Sequence, residues 1–342
     1  MSCKIAEPKI LNLMDALIPS WMNSERHILR KRRHLFFVWI IAGACYLAGI
    51  FTQPAVAREL TLEDNSLLIA FDSRSGALTR LEDKTAHWVI ERRPKLGVSF
   101  RLFAPLPERR WNPVFGRKQS AAEVKKISNH DMRLQWKNLV SENGGTLPII
   151  VTADVTLTNG LLTFNATLEN DSPLTVETID YPYFGDFSPP SRASTNMAAW
   201  TVQANNPAAL VSDEIYPHFR NEKGYWGVFW PTKIPDASRS PFCLIQSADD
   251  GLCVGIDAAK SPYRILYTFE QHPGVISSIT SLVPQEDEIS GQPVHLEFRL
   301  CHMIFQKPHS TMKLTPIVLR CYRGDQHSGS NLYQQIRSTP PQ

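Results

Sequence analysis

The stretch "IIVTADVTLTNGLLTFNATLEND", Ile149 to Asp171, decides the fold. Val151, Ala153, Val155 and Leu157 recur at every second position, so an extended chain carries them on one face; Leu162, Phe164 and Ala166 resume the pattern after Asn159-Gly160. Asn-Gly tolerates the positive φ angles of a two-residue hairpin turn better than almost any other pair. The stretch therefore predicts an antiparallel hairpin with one apolar face.

Outward from this hairpin, short segments rich in Val, Ile, Thr, Phe and Trp recur between turn residues from Leu67 onward. They include "LLIAFD" at 67–72, "ALTRLED" at 77–83, "GVSFRLFAPL" at 97–106, "EVKKIS" at 123–128 and "MRLQWKNL" at 132–139. Further on come "PFCLIQSADDGLCVGID" at 241–257, where Asp250-Gly251 reads as a turn, then "YRILYTFEQ" at 263–271, "VISSITSL" at 275–282 and "VHLEFRLCHMIF" at 294–305. The helical period is almost absent. Strands at this spacing predict an all-β chain, a large antiparallel sandwich rather than a parallel sheet with crossover helices. The one helical opening is "GDQHSGSNLYQQIRS" at 324–338. The 25 prolines mark loops, densest at 186–192 and 230–241, and loops on a rigid β scaffold are where binding residues collect.

At 342 residues, 43% hydrophobic and 20% charged, the chain has ordinary globular composition and can bury a large core. Its net charge of +3 is unevenly placed. Residues 1–57 hold seven Lys/Arg against three acids, leaving 29 basic and 30 acidic residues for the body. A nearly neutral body has no electrostatic footprint for nucleic acid, so no nucleic-acid partner is expected.

Residues 1–57 have the order of an export leader. Basic "RKRRH" (30–34) is followed by uncharged "LFFVWIIAGACYLAGIF" (35–51) and then by an A-x-A site ending at Ala57. The expectation is a signal peptide cleaved after Ala57 and a secreted or periplasmic body; the alternative is an uncleaved anchor through residues 35–51, with the body still outside the cytoplasm. Met22 offers an alternative start. Cys243, Cys253, Cys301 and Cys321 remain in the body, where an oxidising compartment permits two disulfides and burial equally permits free thiols. They lack zinc-site spacing, and no metal or cofactor is expected.

Four patches, "FDSRSGALTRLED" (71–83), "YPYFGDFSPP" (181–190), "GYWGVFWP" (224–231) and "PIVLRCYRGDQHSGSNLYQQIR" (316–337), resemble the N-terminal β-supersandwich of a group of bacterial glycoside hydrolases. In that family a galactose mutarotase-like sandwich precedes a (β/α)8 barrel that holds the catalytic carboxylates. The resemblance implies a supersandwich over residues 58–325 and a helical stub over 326–342 leading toward a barrel that this sequence lacks. Gln326 stands where the family usually has Trp. The implied role is binding a glycan or oligosaccharide, or packing against a catalytic barrel on another chain, without catalysis by this chain alone. The alternatives are a sugar-active enzyme of mutarotase-like or glycosidase type, and a structural envelope protein.

Sugar recognition needs flat apolar faces beside planar polar groups. Two stretches supply both: "DYPYFGDF" (180–187) with Tyr183 and Asp186, and "IYPHFRNEKGYWGVFWP" (215–231) with Tyr216, His218, Tyr225 and Trp226; Trp200 lies between them. These seven are the candidate carbohydrate contacts. Core filling competes for the aromatic ones, most strongly for Phe229 and Trp230. No carboxylate pair stands out for glycoside hydrolysis: Asp249-Asp250 reads as a turn, and Glu286, Asp287 and Glu288 as a solvated loop. His302, within a strand, reads as a hydrogen-bonded sheet histidine rather than a mutarotase-type acid or base. Local motifs of serine hydrolases, zincins and nucleotide binders are missing. "NAT" at Asn165 and "NDS" at Asn170 match the glycosylation tripeptide and read as chance occurrences.

Overall fold

The computed structural model describes residues 59–91, 99–187, 197–203, 206–216, 232–233, 240–257, 261–272 and 295–338. The leader, "VISSITSL", the acidic run at 286–288 and residues 217–231, which include His218, Tyr225 and Trp226, lie outside the described residues. Along the chain the strands are β1 (Glu59–Glu63), β2 (Leu67–Asp72), β3 (Leu78–Asp83), β4 (Trp88–Glu91), β5 (Arg101–Phe103), β6 (Pro113–Phe115) and β7 (Glu123–Lys126). Then come β8 (Asp131–Ser141), β9 (Gly145–Thr158), β10 (Leu161–Asn170), β11 (Thr178–Phe187), β12 (Met197–Gln203), β13 (Asn206–Tyr216) and β14 (Thr232–Lys233). The last are β15 (Phe242–Ser247), β16 (Asp250–Ile256), β17 (Arg264–His272), β18 (His295–Met303), β19 (Ser310–Lys313) and β20 (Ile317–Arg323), before helix α1 (Gln326–Ser338).

The strands make three antiparallel sheets. β1 to β4 form a meander; a ten-stranded sheet runs β13-β12-β15-β16-β20-β10-β9-β8-β7 with β19 also on β10; a six-stranded sheet runs β14-β17-β18-β11-β5-β6. The expected hairpin is β9–β10, with Asn159 at φ +52° and Gly160 at φ +76° in its turn. Its register sets Val151 opposite Leu168, Val155 opposite Phe164 and Leu157 opposite Leu162, all buried. Each such side chain contributes about 1.5–3 kcal/mol when fully buried, so a slip of one residue would forfeit the whole apolar row. In the β15–β16 hairpin, by contrast, the turn lies at Ala248-Asp249, with Ala248 at φ +51°; Asp250 already opens β16, opposite Ser247. The turn is one or two residues earlier than the Asp-Gly pair suggests, because Gly251 is wanted inside the strand, where a Cβ would stand 2.1 Å from the Tyr322 ring.

The core lies between the two larger sheets. Phe164 of β10 meets Phe184 of β11 edge-on at 5.9 Å, and Phe184 stacks on Phe298 of β18 at 6.0 Å. The meander covers another part of this core: Trp136 Nε1 donates to the Ser75 carbonyl at 2.7 Å, at the turn between β2 and β3.

Helix α1 packs on the other face of the ten-stranded sheet. Asp325 caps it, accepting the backbone N–H of Ser328 at 2.9 Å and its hydroxyl at 3.0 Å. Tyr333 lies on Phe242 with ring centroids 4.8 Å apart and donates its hydroxyl to the Ile256 carbonyl at 2.8 Å. Gly255 leaves the space for that ring, since a Cβ there would sit 2.4 Å from it. The four body cysteines are free thiols, so the permitted disulfides are not made. Asn170 is fully buried, its side-chain amide donating to the Leu174 carbonyl at 2.8 Å, which explains the second glycosylation tripeptide as a turn.

Candidate functional site

Alternation along β18 sends Phe298 and Leu300 into the core and places Glu297, Arg299 and Cys301 on the opposite face of the six-stranded sheet. In β5, Leu102 is the core residue and Arg101 and Phe103 take that same outer face. In β11 the alternation is interrupted by irregularities between Asp180 and Tyr183 and again between Phe184 and Phe187. Ile179, Tyr181 and Phe184 enter the core while Asp180 and Tyr183 meet the charged residues of β5 and β18. Register then assembles two rows: Arg101, Asp180, Cys301 and Leu266, and beside it Tyr183, Arg299 and Thr268.

Asp180 is the centre of this face. Its Oδ2 accepts the Arg101 Nε–H at 2.7 Å and lies 3.2 Å from Arg299 Nε. Both guanidinium groups stand over the Tyr183 ring, at 5.9 Å for Arg101 and 5.6 Å for Arg299. The Tyr183 hydroxyl donates to Glu297. Asp180 is 2% exposed, Arg299 5% and Glu297 8%, so these charges have left water and depend on one another. Burial first, and then the Glu297 carboxylate, push the Tyr183 hydroxyl up against the pull of the two arginines, so it remains a donor. Burial, and then Asp180, also push the Cys301 thiol up, which makes it a proton donor to Asp180 rather than a nucleophile.

Two guanidinium groups, two carboxylates and a phenol thus pair with one another on this face, and Arg101, with 29% of its side chain exposed, is the member that reaches solvent. Glu297 stands four residues along β18 from Cys301, the register partner of Asp180, a backbone offset of about 13 Å.

Of the seven residues singled out in the sequence, Tyr183 belongs to this array. Asp186 lies on the same strand, three residues on, and only its backbone is described. Trp200 is half-buried among Phe242, Leu244, Cys253 and Tyr333, on the helix-bearing face of the ten-stranded sheet. The fold does not bring it together with Tyr183. Tyr216 ends β13 at the edge of the same sheet, again with its backbone alone described. His302 is the hydrogen-bonded sheet histidine expected. Its Nε2 donates to the Tyr181 carbonyl at 2.7 Å, which leaves Nδ1 to accept from the Tyr263 hydroxyl at 3.3 Å; that hydroxyl accepts the Thr315 N–H at 2.6 Å. Burial pushes its pKa down to about 4, against the pull of the Tyr181 carbonyl and Asp180.

Arg101, Asp180, Glu297 and Arg299 were not among the sequence candidates. A usable signal existed in "HLEFRLCHM", where Glu297 and Arg299 alternate with Phe298 and Leu300 in a strand apolar enough to be central.

No family model matches the chain, and no curated protein matches it by sequence. Solved structures do. A galactose mutarotase-like protein from Lactobacillus casei aligns over 77% of this chain and 99% of its own, at 10% identity and a TM-score of 0.44. An alpha-N-acetylgalactosaminidase from Bifidobacterium bifidum aligns over 81% of this chain and 38% of its own, at 11% identity and a TM-score of 0.46. An alpha-mannosidase from Enterococcus faecalis aligns over 83% and 31%, at 12% identity and a TM-score of 0.43. The chain thus spans well under half of either enzyme.

Proposed function

We propose that the chain is an exported carbohydrate-binding or accessory module of glycoside-hydrolase type, non-catalytic alone, that holds a glycan against the outer face of the six-stranded sheet. The observation that carries this reading is Asp180 held between Arg101 and Arg299 over the Tyr183 ring. Tyr183 and Asp186 are the contacts from β11, joined by His218, Tyr225 and Trp226 from the segment after Tyr216. Export rests on the basic, apolar and A-x-A order of residues 30–57, and a catalytic barrel on a separate chain is the partner suggested by the sequence patches. A second reading, a sugar-active enzyme, is favoured by one observation: the backbone register sets His272, the last residue of β17, opposite His295, the first of β18, two positions from Glu270 opposite Glu297.

A glycan-array screen of the full chain, followed by calorimetry on each hit, tests the binding reading. Arg101→Gln and Tyr183→Phe are expected to weaken binding at least about tenfold, the loss of one or two charge-assisted or buried hydrogen bonds, and a thermal scan of each variant separates that loss from unfolding. Absence of binding by the folded chain would end this reading. Release of reducing sugar or interconversion of anomers, lost in His272→Ala, would establish the second.

A further inference from the structure

The charged face is continued at one end by two aromatic side chains that the sequence did not single out. Trp111 is 61% exposed, the most exposed large apolar side chain among the described residues. Its ring meets Phe103 at 5.8 Å and 55°. Phe103 is two residues from Arg101 on the same face of β5, about 7 Å along the strand.

The backbone that presents Trp111 is firmly held. Asn112, fully buried, donates its side-chain amide to the Ala104 carbonyl at 2.8 Å and accepts the N–H groups of Asn143 and Gly144, each at 3.0 Å. Asn143 Nδ2 donates to the Trp111 carbonyl at 2.7 Å. Such a loop fixes the indole without covering it. The flanks are polar: Arg110 pairs with Glu177 at 2.7 Å, and the Glu177 N–H donates to the Phe103 carbonyl at 2.9 Å. On the other side, Phe305 is 55% exposed and holds φ +46°, a strained angle for a bulky residue, while its N–H donates to the Glu177 carbonyl at 3.1 Å.

We propose that Trp111 and Phe103, with the Arg110–Glu177 pair beside them, form a stacking subsite for a second sugar ring, so that the charged face takes an oligosaccharide rather than a free monosaccharide. This rests on the reading of that face as a sugar site. A pyranose has an apolar C–H face and a rim of hydroxyl groups. It matches an exposed indole edged by a guanidinium and a carboxylate better than a purely apolar partner does. One ring on Trp111 directs the next toward Arg101, the partly exposed member of the array.

Calorimetry and tryptophan fluorescence on the full chain decide this, using methyl glycosides of glucose, galactose and mannose and the matching di- to tetrasaccharides. Affinity is expected to rise about tenfold from one sugar unit to two. Trp111→Ala should abolish that gain without changing the affinity for the methyl glycoside, and Trp111→Phe should keep most of it. An unchanged oligosaccharide affinity in Trp111→Ala, or equal affinity for all lengths, overturns the subsite and leaves the charged-face reading standing. Binding that needs Trp111 but survives Arg101→Gln keeps the subsite and removes the charged face from the account. No binding of any probe ends both.

Discussion

On the outer face of the ten-stranded sheet, Phe242, Leu244 and Cys253 are buried beneath Tyr333 of α1; on the outer face of the six-stranded sheet, Asp180, Glu297 and Arg299 are buried almost as deeply. Alternation gives every strand of a sandwich a second face, and what covers that face sets its chemistry. The chain's own helix covers the first, with Gly255 giving clearance and aromatic rings giving contact. The second keeps ions where apolar residues would have packed as well or better. Buried charge of this kind adds little net stability, which is the condition that the proposed recognition role requires.

The comparison can be broken most severely at Asp180. Asp180→Ala leaves two arginines facing each other without their shared carboxylate and is expected to destabilise the fold by about 3–5 kcal/mol in chemical denaturation; a loss below about 1 kcal/mol would mean that the array is solvated and its burial unimportant.

The layer between the two faces carries its own ionisable group. His302 has a folded pKa of about 4, below the ordinary value of 6.5, so the unfolded chain binds its proton first as pH falls. Its contribution is complete above pH 6.5 and is lost as pH falls toward 4, a decline of roughly 3 kcal/mol at about 1.4 kcal/mol per pH unit. A denaturation series across that window should show the slope, and His302→Gln should flatten it.

The apolar face should give the smallest and most local effect. Tyr333→Ala and Gly255→Val are each expected to loosen α1 by about 2 kcal/mol, visible as faster amide exchange confined to residues 326–338. Glycan binding should not change. If it does, the two faces are coupled and the contrast between them fails.

Local chemistry made much of this legible. Asn159-Gly160 with its flanking alternation specified the β9–β10 hairpin, and the stretch 324–338 announced α1. The β15–β16 turn was displaced because the demand for a small residue at Gly251 comes from Tyr322, 71 positions away in sequence. The charged array was hidden for the same reason. Arg101 and Asp180 are 79 residues apart and meet only through the β5–β11 register, which no window of sequence contains. Tyr183 and Trp200 were both singled out because aromatic residues announce themselves singly, and the fold puts them on different sheets.

The central claim is that Arg101, Asp180 and Arg299 are kept for recognition and not for folding. The direct measurement is paired denaturation and glycan calorimetry on the triple variant Arg101→Met, Asp180→Leu, Arg299→Met. The account predicts stability within about 2 kcal/mol of the native chain and no glycan binding. A triple variant that binds glycan as the native chain does would contradict it.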